Sequence, residues 1–191
     1  MSVNWKLPEP SSGGLRNILG GWQIAGVLLA QTGTPFSVVC NGRPFVPIRD
    51  AAGGIIGNSG CDYNADNEGN DRPNAPSFGN TISSRSDDDF LAGVFRAADF
   101  PTPAPGTNGS LGRNAYRGPG YCNVDLSVIK TVRVPWFTGD EAQLQFRLEA
   151  FNAFNTTNLE LPVANLSDPL FGRSISALAG RIIQLSGRIS F

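Results

Sequence analysis

The sequence predicts an all-β chain of antiparallel strands, about four of them long, of the kind that forms the wall of a membrane β-barrel. Three observations carry this prediction. The first is the tail, Gly180-Arg-Ile-Ile-Gln-Leu-Ser-Gly-Arg-Ile-Ser-Phe191. Ile183, Leu185, Ile189 and Phe191 fall on one face with Gly187 between them, and Gln184, Ser186, Arg188 and Ser190 fall on the other. A period of two is the strand signature. An apolar face backed by charge and amide suits a wall with lipid on one side and a wet lumen on the other. The second is composition: 23 Gly and 14 Pro favour strands joined by irregular segments. No apolar run approaches the ~18 residues of a spanning helix. The third is the pattern of connections, some short and some very long.

The long strands follow in order. Residues 22–32 place Trp22, Ile24, Leu28 and Ala30 on one face and Gln23 and Gln31 on the other, with Val27 and Leu29 breaking the polarity of the second face. Gly20-Gly21 and Gly33-Thr-Pro35 punctuate the ends, and residues 36–39 offer a continuation. Residues 121–134 alternate Val124, Leu126 and Val128 with Asn123, Asp125 and Ser127. Residues 141–151 give the cleanest pattern: Leu144, Phe146, Leu148 and Ala150 against Gln143, Gln145, Arg147 and Glu149. Arg147 and Glu149, two apart on one face, are placed to pair or to line a lumen. The tail is the fourth strand.

The 135–140 connection is a short turn, 152–180 is longer, and a long loop of about 40–120 has few periodic runs. A loop of that length inside a compact soluble domain counts against such a domain. Short turns at one end and long loops at the other match the short periplasmic turns and long extracellular loops of an outer-membrane β-barrel. Trp22, Trp136 and Phe137 then fall at the short-turn side, where an aromatic girdle would sit. The lipid-facing residues on this reading are Leu144, Phe146, Leu148, Leu185, Ile189 and Phe191.

Composition narrows the function. The net charge of −1 gives no field for nucleic acid. There is no histidine, which removes Ser-His-Asp and Cys-His catalysis and His-ligated zinc. No nucleophile motif is present, so the chain is read as not an enzyme. The start, Met-Ser-Val-Asn-Trp-Lys-Leu-Pro-Glu-Pro, is no signal peptide. An outer-membrane chain of this kind is therefore expected to be a C-terminal fragment, residues 1–191 forming part of something larger.

Cys40 and Cys61 lie in a Gly/Asn-rich stretch and either close a loop by disulfide or remain two free thiols; Cys122 opens a strand as a small packing residue. Asp62, Asn64 and Asp66 have the 1-3-5 spacing of a calcium loop, but Asn67 stands where that loop needs Gly and Pro73 where it needs Glu. A non-EF calcium loop and an Asx-turn-rich solvated loop are the two readings, with no other cofactor expected. Ser86-Asp-Asp-Asp89 reads as solvated surface, and the Gly-rich 106–120 stretch with Arg113 and Arg117 lacks the order of a phosphate loop.

In their order these blocks resemble the C-terminal part of TonB-dependent outer-membrane receptors, specifically the Oar-like, carboxypeptidase-regulatory-like domain-containing group. The blocks are Gly20-Gly-Trp-Gln-Ile-Ala-Gly with Gln31-Thr-Gly-Thr-Pro-Phe36, Asp62-Tyr-Asn-Ala-Asp66 with Asn70-Asp-Arg-Pro73, and Gly112-Arg-Asn114 with Arg117-Gly-Pro-Gly120. Asn123-Val-Asp125 with Lys130, Phe146-Arg-Leu-Glu-Ala-Phe-Asn-Ala-Phe-Asn155 and the tail complete them. One departure is that Ser186, rather than Gly, stands five residues before the terminal aromatic. The resemblance implies uptake or binding of a large nutrient at the cell outer membrane. It also implies three partners: membrane lipid, the remaining barrel and plug, and the assembly machinery that reads Phe191. The alternative is a soluble β-sandwich binding or adhesion module that self-assembles through its sheet edges, with the same apolar residues in a dry core between two sheets.

Overall fold

The computed structural model describes residues 1–10, 18–42, 46–78, 85–134 and 142–191. In chain order the strands are β1 (Ser2–Lys6), β2 (Trp22–Gln31), β3 (Pro35–Phe36), β4 (Pro47–Arg49), β5 (Ile55–Asn58), β6 (Tyr116–Arg117), β7 (Tyr121–Arg133), β8 (Gln143–Phe151) and β9 (Ile182–Ser190). A short helix, α1 (Asp87–Ala92), lies between β5 and β6. Two compact units emerge: Met1–Gln31 with Tyr121–Asn158 and Ala179–Phe191, and Thr32–Gly120 with Leu159–Leu178.

The first unit is an antiparallel sheet in the order β1-β2-β7-β8-β9. The four long strands end within two residues of the bounds expected from alternation. The four expected long strands are joined at the sheet edge by the short β1, which pairs Val3 with Gly26 and Trp5 with Ile24. Its alternation of Val3 and Trp5 with Ser2, Asn4 and Lys6 is strand-like but spans only 5 residues, too short a window to stand out. The β7–β8 hairpin closes with Val134 N–H donating to Ala142 O at 2.9 Å. Its turn, with Trp136 and Phe137, lies outside the described residues.

Gly21 explains why β2 starts where it does. Its φ is +69°, and a Cβ there would stand 2.2 Å from Thr131 O. Only glycine both reaches that conformation cheaply and lets the backbone of β7 come this close. Thr131 N–H then donates to Gly21 O at 2.9 Å.

The long connection expected over about 40–120 lies in the second unit, which has a core of its own. The connections β2–β7 and β8–β9 fold together around a core of Phe36, Val38, Phe90, Val94, Phe95, Phe100, Leu111, Tyr116, Leu159 and Phe171. Phe95 is its hub, with ring centroids 4.6 Å from Tyr116, 5.4 Å from Phe100 and 6.1 Å from Phe171. Of the two small ribbons, β3–β6 carries Phe36 and Tyr116 of this core, and β4–β5 lies in the same connection. Gly172, at φ +81°, lets the 159–178 segment close on Phe95, since a Cβ there would meet Phe95 O at 2.5 Å.

The acidic run is more than solvated surface, because it starts α1. Ser86 Oγ accepts from Asp89 N–H at 3.3 Å, and the Asp89 carboxylate accepts from Ser86 N–H at 2.9 Å. This reciprocal capping box, with three Asp in the first turn, opposes the helix dipole and delivers Phe90 to the core.

Candidate functional site

The register turns four separate alternations into one two-faced wall. Leu144, Phe146, Leu148 and Ala150 of β8 stand opposite Ile189, Gly187, Leu185 and Ile183 of β9. On the other side they stand opposite Val132, Lys130, Val128 and Leu126 of β7. Trp22, Ile24, Gly26 and Leu28 of β2 continue the face, and Trp5 and Val3 of β1 end it. This face is uncovered: Leu185 is 78% exposed, Phe146 51% and Phe191, just past β9, 90%. A soluble fold does not leave five strands of contiguous apolar side chains in water.

The opposite face is polar on β7, β8 and β9 apart from Ile129, Phe151 and Ile182, while β2 places Ala25, Val27 and Leu29 there between Gln23 and Gln31. It carries Asn123, Asp125, Ser127 and Thr131 of β7, Gln143, Gln145, Arg147 and Glu149 of β8, and Gln184, Ser186, Arg188 and Ser190 of β9. Arg147 pairs with Glu149 at 3.5 Å along β8. Where β2 begins, this face holds a groove of about 490 Å3 lined by polar groups that include Lys6, Gln23, Thr131, Arg133 and Gln145.

Asparagines and an aspartate close the other end of the sheet, where the long connections depart. Asn158, buried, accepts from Cys122 N–H at 2.8 Å and donates back to Cys122 O at 3.1 Å. Asp125 accepts from Asn152 N–H at 2.9 Å, and Asn152 accepts from Thr156 N–H at 2.9 Å. Asn152 and Asn155 take φ of 50° and 54°, left-handed conformations that asparagine tolerates. Sequence reasoning saw the Phe-Asn-Ala-Phe-Asn block but not this role; asparagine right after a clean strand is its signal. Cys122 itself is exposed rather than packed.

In the second unit Cys40 and Cys61 form a disulfide, with Cα atoms 5.0 Å apart and Ser167 Oγ 3.0 Å from the Cys61 sulfur. The bridge anchors the Asp/Asn-rich turn. The structure brings Asp62, Asn64 and Asp66 together, and their oxygens are already engaged. Asp62, fully buried, accepts from Asp66 N–H at 3.1 Å, from Asn67 N–H at 3.0 Å and from the Asn58 amide. Asn64 Oδ1 also accepts from Asp66 N–H, at 3.0 Å, and Asp66 accepts from Glu68 N–H at 2.8 Å. Asp71, which the spacing did not single out, accepts from Tyr63 and Asn64 N–H at 2.6 and 3.1 Å. These are stacked Asx turns. The Glu68 N–H, then the Asn64 amide, hold the Asp66 carboxyl below its ordinary value. Among the described residues no three His, Cys, Asp or Glu gather as a metal site. Arg117, in the Gly-rich stretch, donates to Gly33 O at 3.1 Å.

No helix among the described residues is long and apolar enough to cross a membrane, which leaves strands as the crossing elements of a chain with this face. A wall apolar on one face and polar on the other, with short connections at one end and long ones at the other, defines a membrane β-barrel protein. The family model for the outer membrane beta barrel domain matches residues 1–184, and the chain belongs to that family. Nothing matches among curated proteins or solved structures. The chain is thus an outer-membrane protein. The soluble sandwich is corrected by the uncovered apolar face, since the other sheets among the described residues are ribbons of two strands.

Proposed function

We propose that this chain supplies five wall strands and a folded loop unit to a TonB-dependent receptor of the Oar-like group, which binds and takes up a large nutrient. The observation that carries this reading is the loop unit. Here two connections share an aromatic core, and a disulfide closes a loop within the longer of them. A rigid loop body suits recognition of a bulky ligand, and the polar face suits a lumen filled by a plug. Five strands are fewer than the eight of the smallest natural barrels, so the wall is completed by further strands. The solvent-exposed apolar face, including Leu144, Phe146, Leu148, Leu185, Ile189 and Phe191, contacts lipid, and Phe191 is the feature that assembly machinery would read. The reading assigns no catalysis, no nucleic-acid partner and no cofactor; the Asp62 turn is a scaffold rather than a calcium site.

The test is ligand uptake by cells carrying the full-length protein, with and without the energising inner-membrane complex. The reading expects binding to persist and uptake to stop when that complex is lost. Uptake that continues unchanged would point to passive diffusion and sink the receptor reading.

A further inference from the structure

Among the described strand residues of the apolar face, Lys130 is the one charged side chain. It stands opposite Trp22 on β2 and Phe146 on β8. Its ammonium lies 5.0 Å from the centre of the Trp22 ring. It donates to Ile18 O at 2.9 Å and to Gly20 O. Ile18 O also accepts from the Trp22 indole N–H at 2.8 Å, so ring and ammonium share one carbonyl. No carboxylate pairs with Lys130 among the described residues. Two of its three donors go to these carbonyls, and no described carboxylate offsets its charge.

Three of the four aromatic residues placed on this face, Trp5, Trp22 and Phe191, show where Lys130 sits in the bilayer, and the fourth, Phe146, lies inward of their line. Trp5 shares a row with Ile24, two residues inward of Trp22, while Phe191 lies four residues outward of Gly187, which shares the row of Trp22, Lys130 and Phe146. The line from Trp5 through Trp22 to Phe191 therefore shifts six residues over four strand-to-strand steps. At about 3.3 Å per residue and about 4.8 Å between strands, it runs at about 45° to the strands. That is the angle made by a level line on a barrel whose strands tilt by a similar amount. Trp5, Trp22 and Phe191 thus mark a single height, the membrane boundary on the short-turn side. On β7 that line passes one to two residues outward of Lys130. The Lys130 backbone lies just inside the hydrocarbon, and the side chain reaches back to the boundary toward Ile18 and Gly20.

From this placement we propose that Lys130, framed by Trp22, binds the phosphate of an anionic phospholipid headgroup in the leaflet on the short-turn side. An ammonium at the headgroup level with no carboxylate partner among the described residues, above an apolar face that takes the acyl chains, fits a lipid phosphate in both its charged and its apolar parts. A free anion would use only the charge. The inference rests on membership of the outer-membrane family and is independent of the transport reading.

The test is native mass spectrometry of the full-length protein extracted from outer membranes, read on the folded, heat-modifiable species only. The probes are phosphatidylglycerol and phosphatidylcholine of equal chain length. Wild type and Lys130→Arg are expected to retain phosphatidylglycerol preferentially, by roughly five-fold, the scale of one basic residue at an anionic surface. Lys130→Gln is expected to lose that preference. An equal preference in Lys130→Gln would overturn the proposal, as would displacement of the lipid by inorganic phosphate at matched concentration, which would mark a free-anion site. Loss of uptake in any variant leaves this readout unaffected.

Discussion

Replacing Asp62 by alanine separates the two readings of the Asp/Asn-rich turn. The Asp62 side chain is fully buried and accepts from the Asp66 and Asn67 N–H groups and the Asn58 amide. Each hydrogen bond to a charged group is worth about 1.5–3 kcal/mol, and water entering the loosened turn recovers part of that. A net local loss of about 3 kcal/mol follows, or roughly a hundred-fold rise in the opening of the turn at 1.4 kcal/mol per tenfold. Asp62→Asn keeps the shape and one acceptor and should lose about half as much. The assay is hydrogen exchange of the Asp66 and Asn67 amides by mass spectrometry, with and without calcium. The scaffold account expects faster exchange in both variants and no calcium effect in wild type. Calcium that slows wild-type exchange, with the effect gone in Asp62→Ala, would refute it. So would a change in Asp62→Ala exchange of less than about three-fold, well short of the cost of a buried charged acceptor.

Other perturbations probe the remaining parts. Phe95→Ala removes the hub ring and should destabilise the loop unit by about 3–5 kcal/mol, read as faster proteolysis within residues 32–120 while the heat-modifiable barrel band persists. Leu148→Lys, placing a charge mid-strand on the lipid face, should cost about 2–4 kcal/mol in urea titrations of the folded protein in lipid vesicles, against about 0.5 kcal/mol or less for Ser186→Lys on the polar face. The Asp66 and Asp89 carboxyls are held low, chiefly by the backbone N–H groups of Glu68 and Ser86 respectively. A depressed folded value stabilises above the ordinary carboxylate value of about 4 and loses that contribution as pH falls below it. Protease sensitivity of the loop unit should therefore rise in that acid window, with no counterpart between pH 6 and 8.

The wall was legible because a strand exposed to lipid on one face and to polar surroundings on the other must alternate, and residues 143–150 alternate without a break. Alternation gave each strand its faces, and the register between strands came only with the structure. Strand β1 was missed because 5 residues carry too little period. The loop unit was missed for a different reason. Its core is built from single aromatics far apart in sequence, Phe36, Phe95, Tyr116 and Phe171, which share no period and meet only when two connections close on each other. Phe90, Phe95 and Phe100 stand out in the chain as apolar residues, but nothing in the sequence points to their partners. The Asp62 turn shows the limit of spacing rules: Asx turns and ion loops set oxygens at the same intervals, so spacing alone does not separate them.

The central claim is that the β8 residues alternate between lipid and a polar interior in the folded protein. It is tested most directly by single spin labels at positions 144 to 149 in a Cys122→Ser background, with accessibility to oxygen and to a water-soluble nickel chelate measured in lipid. The account predicts a period of two, with 144, 146 and 148 open to oxygen and shielded from nickel, and 145, 147 and 149 the reverse. Uniform accessibility along the strand, or the opposite phase, would contradict it.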